Sequence, residues 1–164
     1  MAYLLDADAF IRAKRLHYGF DFCPAFWDWL IAAHTEGNVF SVVKVGDELR
    51  AGNDELSEWA SERGDRFFLP PDQATVPALA QVTAWVSSQN YSTQAIRTFM
   101  QVADYYLVAQ AQAGNHTVVT HEAPSVSRRR IKIPDACISL GIKCLTPFEM
   151  LRNERARFVL GSSP

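Results

Sequence analysis

Apolar residues in this chain fall into two patterns, short continuous runs and longer stripes with helical spacing. The short apolar or β-branched runs predict strands at residues 3–5, 39–43, 66–69, 116–120 and 142–145. The stripes predict helices at residues 8–14, 25–35, 44–51, 74–87, 93–113 and 147–155, with shorter helices after Asp54 and Pro134. Because strands alternate with helices, the pattern predicts an α/β fold in which helices cover both faces of a parallel sheet.

The composition indicates one ordinary globular domain. The 164 residues contain no repeat, low-complexity tract or linker, so we expect a single domain over residues 1–164 with a flexible tail at about 156–164. A net charge of −2 argues against a protein that coats duplex DNA through overall positive charge. The three cysteines and four histidines show no zinc-binding spacing. Since neither a signal peptide nor a membrane-spanning apolar run is visible, we expect a cytoplasmic protein.

Acidic residues stand at or just after the ends of two predicted strands. Asp6 and Asp8 follow the strand at 3–5, and Glu122 follows the strand at 116–120. A carboxylate at the end of a buried strand is costly unless it is paired or holds a metal ion. The alternative for the first pair is that Asp8 caps the next helix while Asp6 is a solvated loop residue.

Three further acids lie on predicted helices. Asp104 either projects from the apolar side of the helix at 93–113 or is solvated at the edge of its apolar stripe. Glu48 lies about two turns beyond the strand at 39–43, where a solvated helix face explains it equally well. Asp135 stands at the start of a helix, where capping is a sufficient role.

A parallel sheet would bring the strand ends, and several of these acids, to one edge. Carboxylates crowded together repel one another, and some would stay protonated. Mg²⁺ or Mn²⁺ resolves this conflict, because these ions prefer oxygen ligands and need only one or two direct carboxylates with waters. The chemistry favoured by such a site is metal-assisted attack of water on a phosphodiester.

Four segments carry a resemblance to a known family. They are Leu4-Leu5-Asp6-Ala7-Asp8, residues 41–49 with Glu48, residues 103–109 with Asp104, and Val118-Val119-Thr120-His121-Glu122. Their order resembles that of PIN-domain nucleases, many of which are the toxins of bacterial toxin–antitoxin pairs (VapC-like). The stretch Ile133-Pro134-Asp135 is closer to a less characterised PIN-like subgroup. The resemblance implies a Rossmann-like, three-layer α/β/α sandwich whose central, mostly parallel sheet has four to five strands.

The resemblance also implies the activity of an endoribonuclease that uses Mg²⁺ or Mn²⁺ to hydrolyse RNA, leaving a 5′-phosphate and a 3′-hydroxyl. The catalytic residues would be Asp6, Glu48, Asp104 and Glu122. The metal would be bound by Asp6, Glu48 and Asp104. Many members carry an aspartate where this chain has Glu122, so Asp135 is the alternative as outer metal ligand.

Supporting roles follow from the same resemblance. Asp8 and Thr120 would orient the metal ligands or a water. The basic segment after Glu122 either grips RNA phosphates or is a solvated charge run. Its candidate RNA-binding residues are Arg128, Arg129, Arg130 and Lys132. The expected partners are an RNA substrate, an antitoxin protein and, in a homodimer, a second copy of the chain; no membrane partner is expected.

Two other functions fit part of the pattern. The opening stretch also resembles that of haloacid-dehalogenase-like phosphatases, with Asp6 as nucleophile and Asp8 as acid. Phe10 stands where that motif has Thr or Val, which argues against this alternative. The second alternative is a non-catalytic PIN-like module that binds RNA or a protein, against which the full set of candidate acids argues.

Overall fold

The computed structural model describes residues 1–161, which form an α/β fold on one parallel sheet. The strands are β1 (Tyr3–Leu5), β2 (Val39–Val42), β3 (Phe68–Leu69), β4 (Thr117–Val119) and β5 (Cys144–Leu145). Their order across the sheet is β3-β2-β1-β4-β5, and every neighbouring pair is parallel. The predicted α/β class and the parallel sheet are confirmed.

Helices connect all of these strands. They are α1 (Ala7–Arg12), α2 (Pro24–Thr35), α3 (Val43–Arg50), α4 (Glu55–Ser61), α5 (Thr75–Ser88), α6 (Thr93–Gln101), α7 (Ala103–Gly114), α8 (Ile133–Leu140) and α9 (Pro147–Asn153). A π-helical turn, Ala13–His17, continues α1. Within residues 1–161, no helix combines the length and apolar character needed to cross a bilayer.

The connections place helices on both faces of the sheet. The chain runs from β1 outward to β2 and β3, then crosses to β4 and β5 on the other side of β1. Crossover connections between parallel strands are right-handed. Because the two halves of the chain run in opposite directions across the sheet, α2 and α4 lie on one face and α5, α7 and α8 lie on the other. Consistent with this, α2 packs against β2, and α7 packs against α5, α8 and β4.

The two adjacent strands β1 and β4 lie in the centre of the core. Leu4, Leu5, Val118 and Val119 are each at most 1% exposed. Burial on both faces explains why these strands are continuous apolar runs without alternation. The residues that directly follow them are therefore held on a rigid frame.

The helix predicted at 93–113 is in fact two helices, α6 and α7. Val102 interrupts it with an extended backbone, φ −105° and ψ 171°. The apolar spacing continues across the break, because Phe99 of α6 and Leu107 of α7 both enter the core, so the pattern alone does not reveal it. The break places Asp104 in the first turn of α7, where the helix dipole favours a negative charge.

The tail expected from about residue 156 is held against the domain at least as far as Phe158. The Phe158 ring packs edge-on against Tyr18 and Phe26, with centroids 5.7 and 6.2 Å away. This contact depends on Tyr18 and Phe26, which are distant in sequence, so the local pattern around Phe158 does not predict it. Residues 162–164 of the expected tail lie outside the described residues.

Gly46 of α3 packs against the ring of Phe68 in β3. A Cβ there would stand 2.8 Å from Cγ of Phe68. We expect Gly46→Ala to lower the free energy of unfolding by about 1 kcal/mol, because overpacking outweighs the gain in helix propensity. Urea unfolding followed by circular dichroism measures this, with Gly64→Ala as control, since its Cβ would meet nothing within 4 Å. Equal losses in the two variants would contradict this explanation of Gly46.

Candidate active site

A cavity of about 630 Å³ opens at the carboxyl ends of the central strands. The chain leaves β1 toward one side of the sheet and β4 toward the other, which makes this edge a topological switch point. Ligands of open α/β sheets bind at such points. The charged residues of the cavity wall are Asp6, Asp8, Arg12, Glu48, Asp104, Glu122, Arg129, Arg130 and Lys132. Five acids from four separate segments therefore meet here with four cations.

Asp6 is the most buried acid of the cavity, at 2% exposure. It is the N-cap of α1, because its Oδ1 accepts a hydrogen bond from Ala9 N at 2.8 Å. Its Oδ2 accepts a hydrogen bond from Thr120 Oγ1 at 2.6 Å. Among residues 1–161, no cationic side chain forms an ion pair with it.

The surroundings of Asp6 oppose its ionisation. Burial raises the pKa of Asp6 to about 8, although its hydrogen bonds with Thr120 and Ala9 act in the opposite direction. The negative charges of Asp104 and Asp8 raise this pKa further. A cation that enters the cavity would favour the ionised form of this carboxyl group, so the site is suited to binding a cation.

Thr120 links the ends of the two central strands. It is 1% exposed, and while its hydroxyl donates to Asp6 it accepts a hydrogen bond from Glu122 N at 3.0 Å. The hydroxyl therefore fixes the orientation of the Asp6 carboxylate and the path of the chain after β4. This contact matches the orienting role expected for Thr120.

Asp104 enters the same cavity from α7. Burial raises the pKa of Asp104 to about 7, and the charges of Glu122 and Glu48 raise it further, while Arg130 lowers it. Because Asp104 also acts on Asp6, the acids of β1, α3, α7 and the segment after β4 form one electrostatic group. The structure thus places Asp6, Glu48 and Asp104 in the wall of one cavity; that the three carboxylates bind one metal ion stays a prediction.

Glu48 and Asp8 are the more accessible acids of the cavity. Glu48 is exposed on α3, yet partial burial of its carboxyl group and the charge of Asp8 raise its pKa. Asp8 pairs with Arg12 one turn later, with Oδ2 and Nε 2.8 Å apart. The expectation that Asp8 caps the first helix is wrong, because the cap is Asp6; a supporting role of Asp8 toward the metal ligands stays a prediction.

Glu122 lines the cavity but already has structural partners. Its Oε2 accepts a hydrogen bond from Ile133 N at 2.8 Å, which satisfies the first N–H of α8. Its Oε1 lies 3.6 Å from Nη2 of Arg130. Glu122 therefore connects the segment after β4 to the start of α8 and to Arg130.

Asp135, the alternative outer metal ligand, is not part of the cavity wall. Its carboxylate accepts hydrogen bonds from Ser125 N, at 3.1 Å to Oδ2 and 3.3 Å to Oδ1. It does not cap α8 either, because it lies inside the first turn of that helix. Of the two candidates for a fourth acid, only Glu122 lines the cavity that contains Asp6, so the position of Asp135 does not support its assignment as a metal ligand.

The predicted RNA-binding residues divide into two groups. Arg129, Arg130 and Lys132 line the cavity. Arg128 is not in the cavity wall and instead lies over the ring of Tyr91, 5.7 Å from its centroid. Its backbone oxygen accepts a hydrogen bond from Ser92 N at 2.8 Å, which ties the basic loop to the turn before α6.

Two residues with titratable side chains in the cavity wall, Arg12 and His121, are not among the site residues predicted from the sequence. Arg12 lies one turn after Asp8, and this i,i+4 spacing is a signal that the two side chains share a helix face. His121 follows Thr120 at the end of a central strand. Both positions could be recognised once the strand end was treated as a ligand-binding edge.

The ligand types of this wall fit Mg²⁺ or Mn²⁺. Within residues 1–161, no three His, Cys, Asp or Glu side chains stand close enough to form a complete metal site by themselves. Mg²⁺ requires only one or two direct carboxylates, since waters complete its octahedron. The carboxylates of the buried Asp6 and the half-buried Asp104 offer oxygens of the type these ions prefer, and a divalent cation would relieve the repulsion between them.

Comparison with known proteins places the chain in a family. A family model described as "Domain of unknown function (DUF4411)" matches residues 3–158, and the chain belongs to this family. Neither curated proteins nor solved structures gave a match. The description of the family names no activity, and the features of this chain that bear on function are the parallel α/β fold and the acidic cavity.

Proposed function

We propose that this chain is a metal-dependent endoribonuclease that hydrolyses phosphodiester bonds of RNA. The observation that carries the proposal is the acidic cavity at the switch point, where burial and mutual repulsion raise the pKa values of Asp6 and Asp104 to about 8 and about 7. Buried carboxylates are normally paired with cations, whereas among residues 1–161 neither Asp6 nor Asp104 forms an ion pair. A functional site is the better explanation of this arrangement.

Within this proposal, Asp6 and Asp104 hold Mg²⁺ or Mn²⁺, with Glu48 at the more open side. A divalent cation at such a site lowers the pKa of bound water and neutralises charge that develops on the phosphate. Thr120 keeps the Asp6 carboxylate in one orientation, so the ligand is preorganised. Glu48, the exposed acid, accepts a proton from the attacking water.

The cationic side chains of the cavity wall bind the phosphates of the substrate. Arg129 and Lys132 lie in the wall, and their charges attract the phosphates on either side of the cleaved bond. Arg130 lies near Glu122 and lowers the pKa of Asp104, so its positive charge acts on the acids of the cavity as well as on the substrate phosphates. A polyanion is a better match for this mixture of acids and cations than a small uncharged ligand.

The biological role that we propose is the toxin of a toxin–antitoxin pair. Support comes from the resemblance of the four acidic segments to PIN-domain nucleases and from a five-stranded parallel fold compatible with that family. The role would require an antitoxin protein that blocks the cavity. A homodimer is compatible with the same proposal.

A phosphatase that uses Asp6 as nucleophile fits the structure less well. Both carboxylate oxygens of Asp6 accept hydrogen bonds, from Ala9 N and from Thr120 Oγ1. At 2% exposure, the side chain leaves little room for the in-line approach of a phosphorus atom, whereas the lone pair that remains on each oxygen suffices to bind a small cation. The buried orientation therefore favours a metal-binding role for Asp6 over a nucleophilic one.

The test is incubation of the purified protein with end-labelled single-stranded RNA in Mg²⁺, in Mn²⁺ and in EDTA. We expect cleavage only with the metal ions, and fragments that carry 5′-phosphate and 3′-hydroxyl ends, because water attacks the phosphorus and the 3′-oxygen leaves. Hydrolysis of p-nitrophenyl phosphate without RNA cleavage would support the phosphatase. Fragments ending in 2′,3′-cyclic phosphate that form equally well in EDTA would contradict the proposed chemistry.

A further inference from the structure

Three aromatic rings form a cluster beside the acidic cavity. His17 and His121 have ring centroids 5.3 Å apart, and Phe148 lies 5.0 Å from His17 and 5.4 Å from His121. The rings come from three separate segments: the π-helical turn, the residue after Thr120 and the first turn of α9. His121 is part of the cavity wall, so the cluster borders the site of the proposed chemistry.

The cluster is not part of the hydrophobic core. All three residues are partly exposed, whereas neighbouring core rings such as Phe10 and Phe26 are at most 1% exposed. Two other aromatic residues of the same region, Tyr18 and Phe20, stack on Phe26 and Trp27 and are thereby used for packing. In the His17–His121–Phe148 cluster, His121 lines the cavity, and the partly exposed rings of His17 and Phe148 lie next to it.

We propose that the His17–His121–Phe148 cluster is a stacking surface for a nucleobase of single-stranded RNA next to the cleaved phosphodiester. The proposal rests on the proposed ribonuclease function and specifies how the substrate lies in the site. Stacking of a base on flat, partly exposed rings is energetically favourable, and every base has the required π face. Arg129 and Lys132 hold the sugar–phosphate backbone from another segment of the wall.

The arrangement selects for unpaired RNA. In a duplex the bases are stacked on one another and their faces are closed to protein rings, whereas bases in loops and single strands can be splayed onto aromatic side chains. Stacking is tolerant of sequence, so the cluster provides a preference for single strands without strict base identity.

Fluorescence anisotropy in EDTA tests the stacking surface, with the full-length protein and two labelled oligoribonucleotides of equal length. One oligonucleotide carries bases and the other is abasic throughout. We expect Phe148→Ala to weaken binding of the base-bearing strand about tenfold and to leave binding of the abasic strand unchanged. Phe148→Tyr keeps the ring and retains the wild-type affinity. Arg129→Ala weakens both strands alike, because it acts on phosphates.

The matched control is Phe22→Ala, which removes a phenyl ring that is 67% exposed and outside the cavity wall. His121→Ala provides a second ring deletion in case Phe148→Ala disturbs folding, which thermal unfolding detects. Equal effects of the ring deletions on both strands, or no effect on either, would overturn the stacking surface. If wild-type protein nevertheless cleaves RNA in Mg²⁺, the ribonuclease proposal stands without it; if the protein neither binds nor cleaves RNA, both proposals fail.

Discussion

Asp6→Asn is expected to reduce Mg²⁺-dependent RNA cleavage by at least about 100-fold, the scale of losing one preorganised electrostatic group at an active site. The amide keeps an oxygen for the hydrogen bond from Ala9 but loses the negative charge that would hold the cation. The fold should survive, because the substitution also removes a buried charge with uncharged partners. Initial rates on end-labelled single-stranded RNA measure the effect.

The control for this variant is Asp28→Asn, which changes an exposed acid of α2 outside the cavity wall. Its cleavage rate should equal that of the wild type. A wild-type rate in Asp6→Asn would show that the buried carboxylate at the end of β1 has no part in the reaction.

The second large effect concerns stability and pH in the absence of metal. The pKa of Asp6 is about 8 in the folded protein and 3.8 ordinarily, so its protonated form is favoured by folding. A raised folded pKa gives stability that is fully present below pH 4 and is lost as the pH rises toward 8. Relative to the wild type, Asp6→Asn should therefore gain at least about 1 kcal/mol of unfolding free energy between pH 4 and pH 7, since one pKa unit is worth about 1.4 kcal/mol.

Urea unfolding in EDTA at several pH values measures this difference, and the comparison cancels the titration of distant groups. Asp104 also titrates in this range, with a pKa of about 7, and it remains in both proteins. Added Mg²⁺ should stabilise the wild type more at pH 8 than at pH 5, because the ion binds ionised carboxylates. A difference between the two proteins that is independent of pH would contradict the raised pKa of Asp6.

The strands that position the site residues can be predicted from the sequence, because each strand is marked by a local run of apolar residues. Leu4 and Leu5 form a run that is buried on both faces, and an acid at its end must lie at the carboxyl edge of a parallel sheet. The same reasoning applies to Thr120 after β4. Order along the chain then suffices to bring Asp6 and Glu48 to one edge.

What the sequence does not predict depends on backbone geometry and on distant contacts. The break at Val102 is invisible because the apolar spacing continues through it. The choice between Glu122 and Asp135 depends on hydrogen bonds to Ile133 N and Ser125 N, which only the folded loop creates. Arg128 belongs to the basic run in sequence, but its contact with Tyr91 takes it out of the cavity wall.

We propose that Asp6 and Asp104 bind one divalent cation between the carboxyl end of β1 and the first turn of α7. Calorimetric titration of the metal-free protein with Mn²⁺ measures this binding, with Asp104→Asn beside the wild type and Asp28→Asn as control. We expect saturable binding in the wild type and control, and an affinity at least about tenfold lower in Asp104→Asn because a ligand or its support is lost. Identical isotherms for the wild type and Asp104→Asn would contradict it.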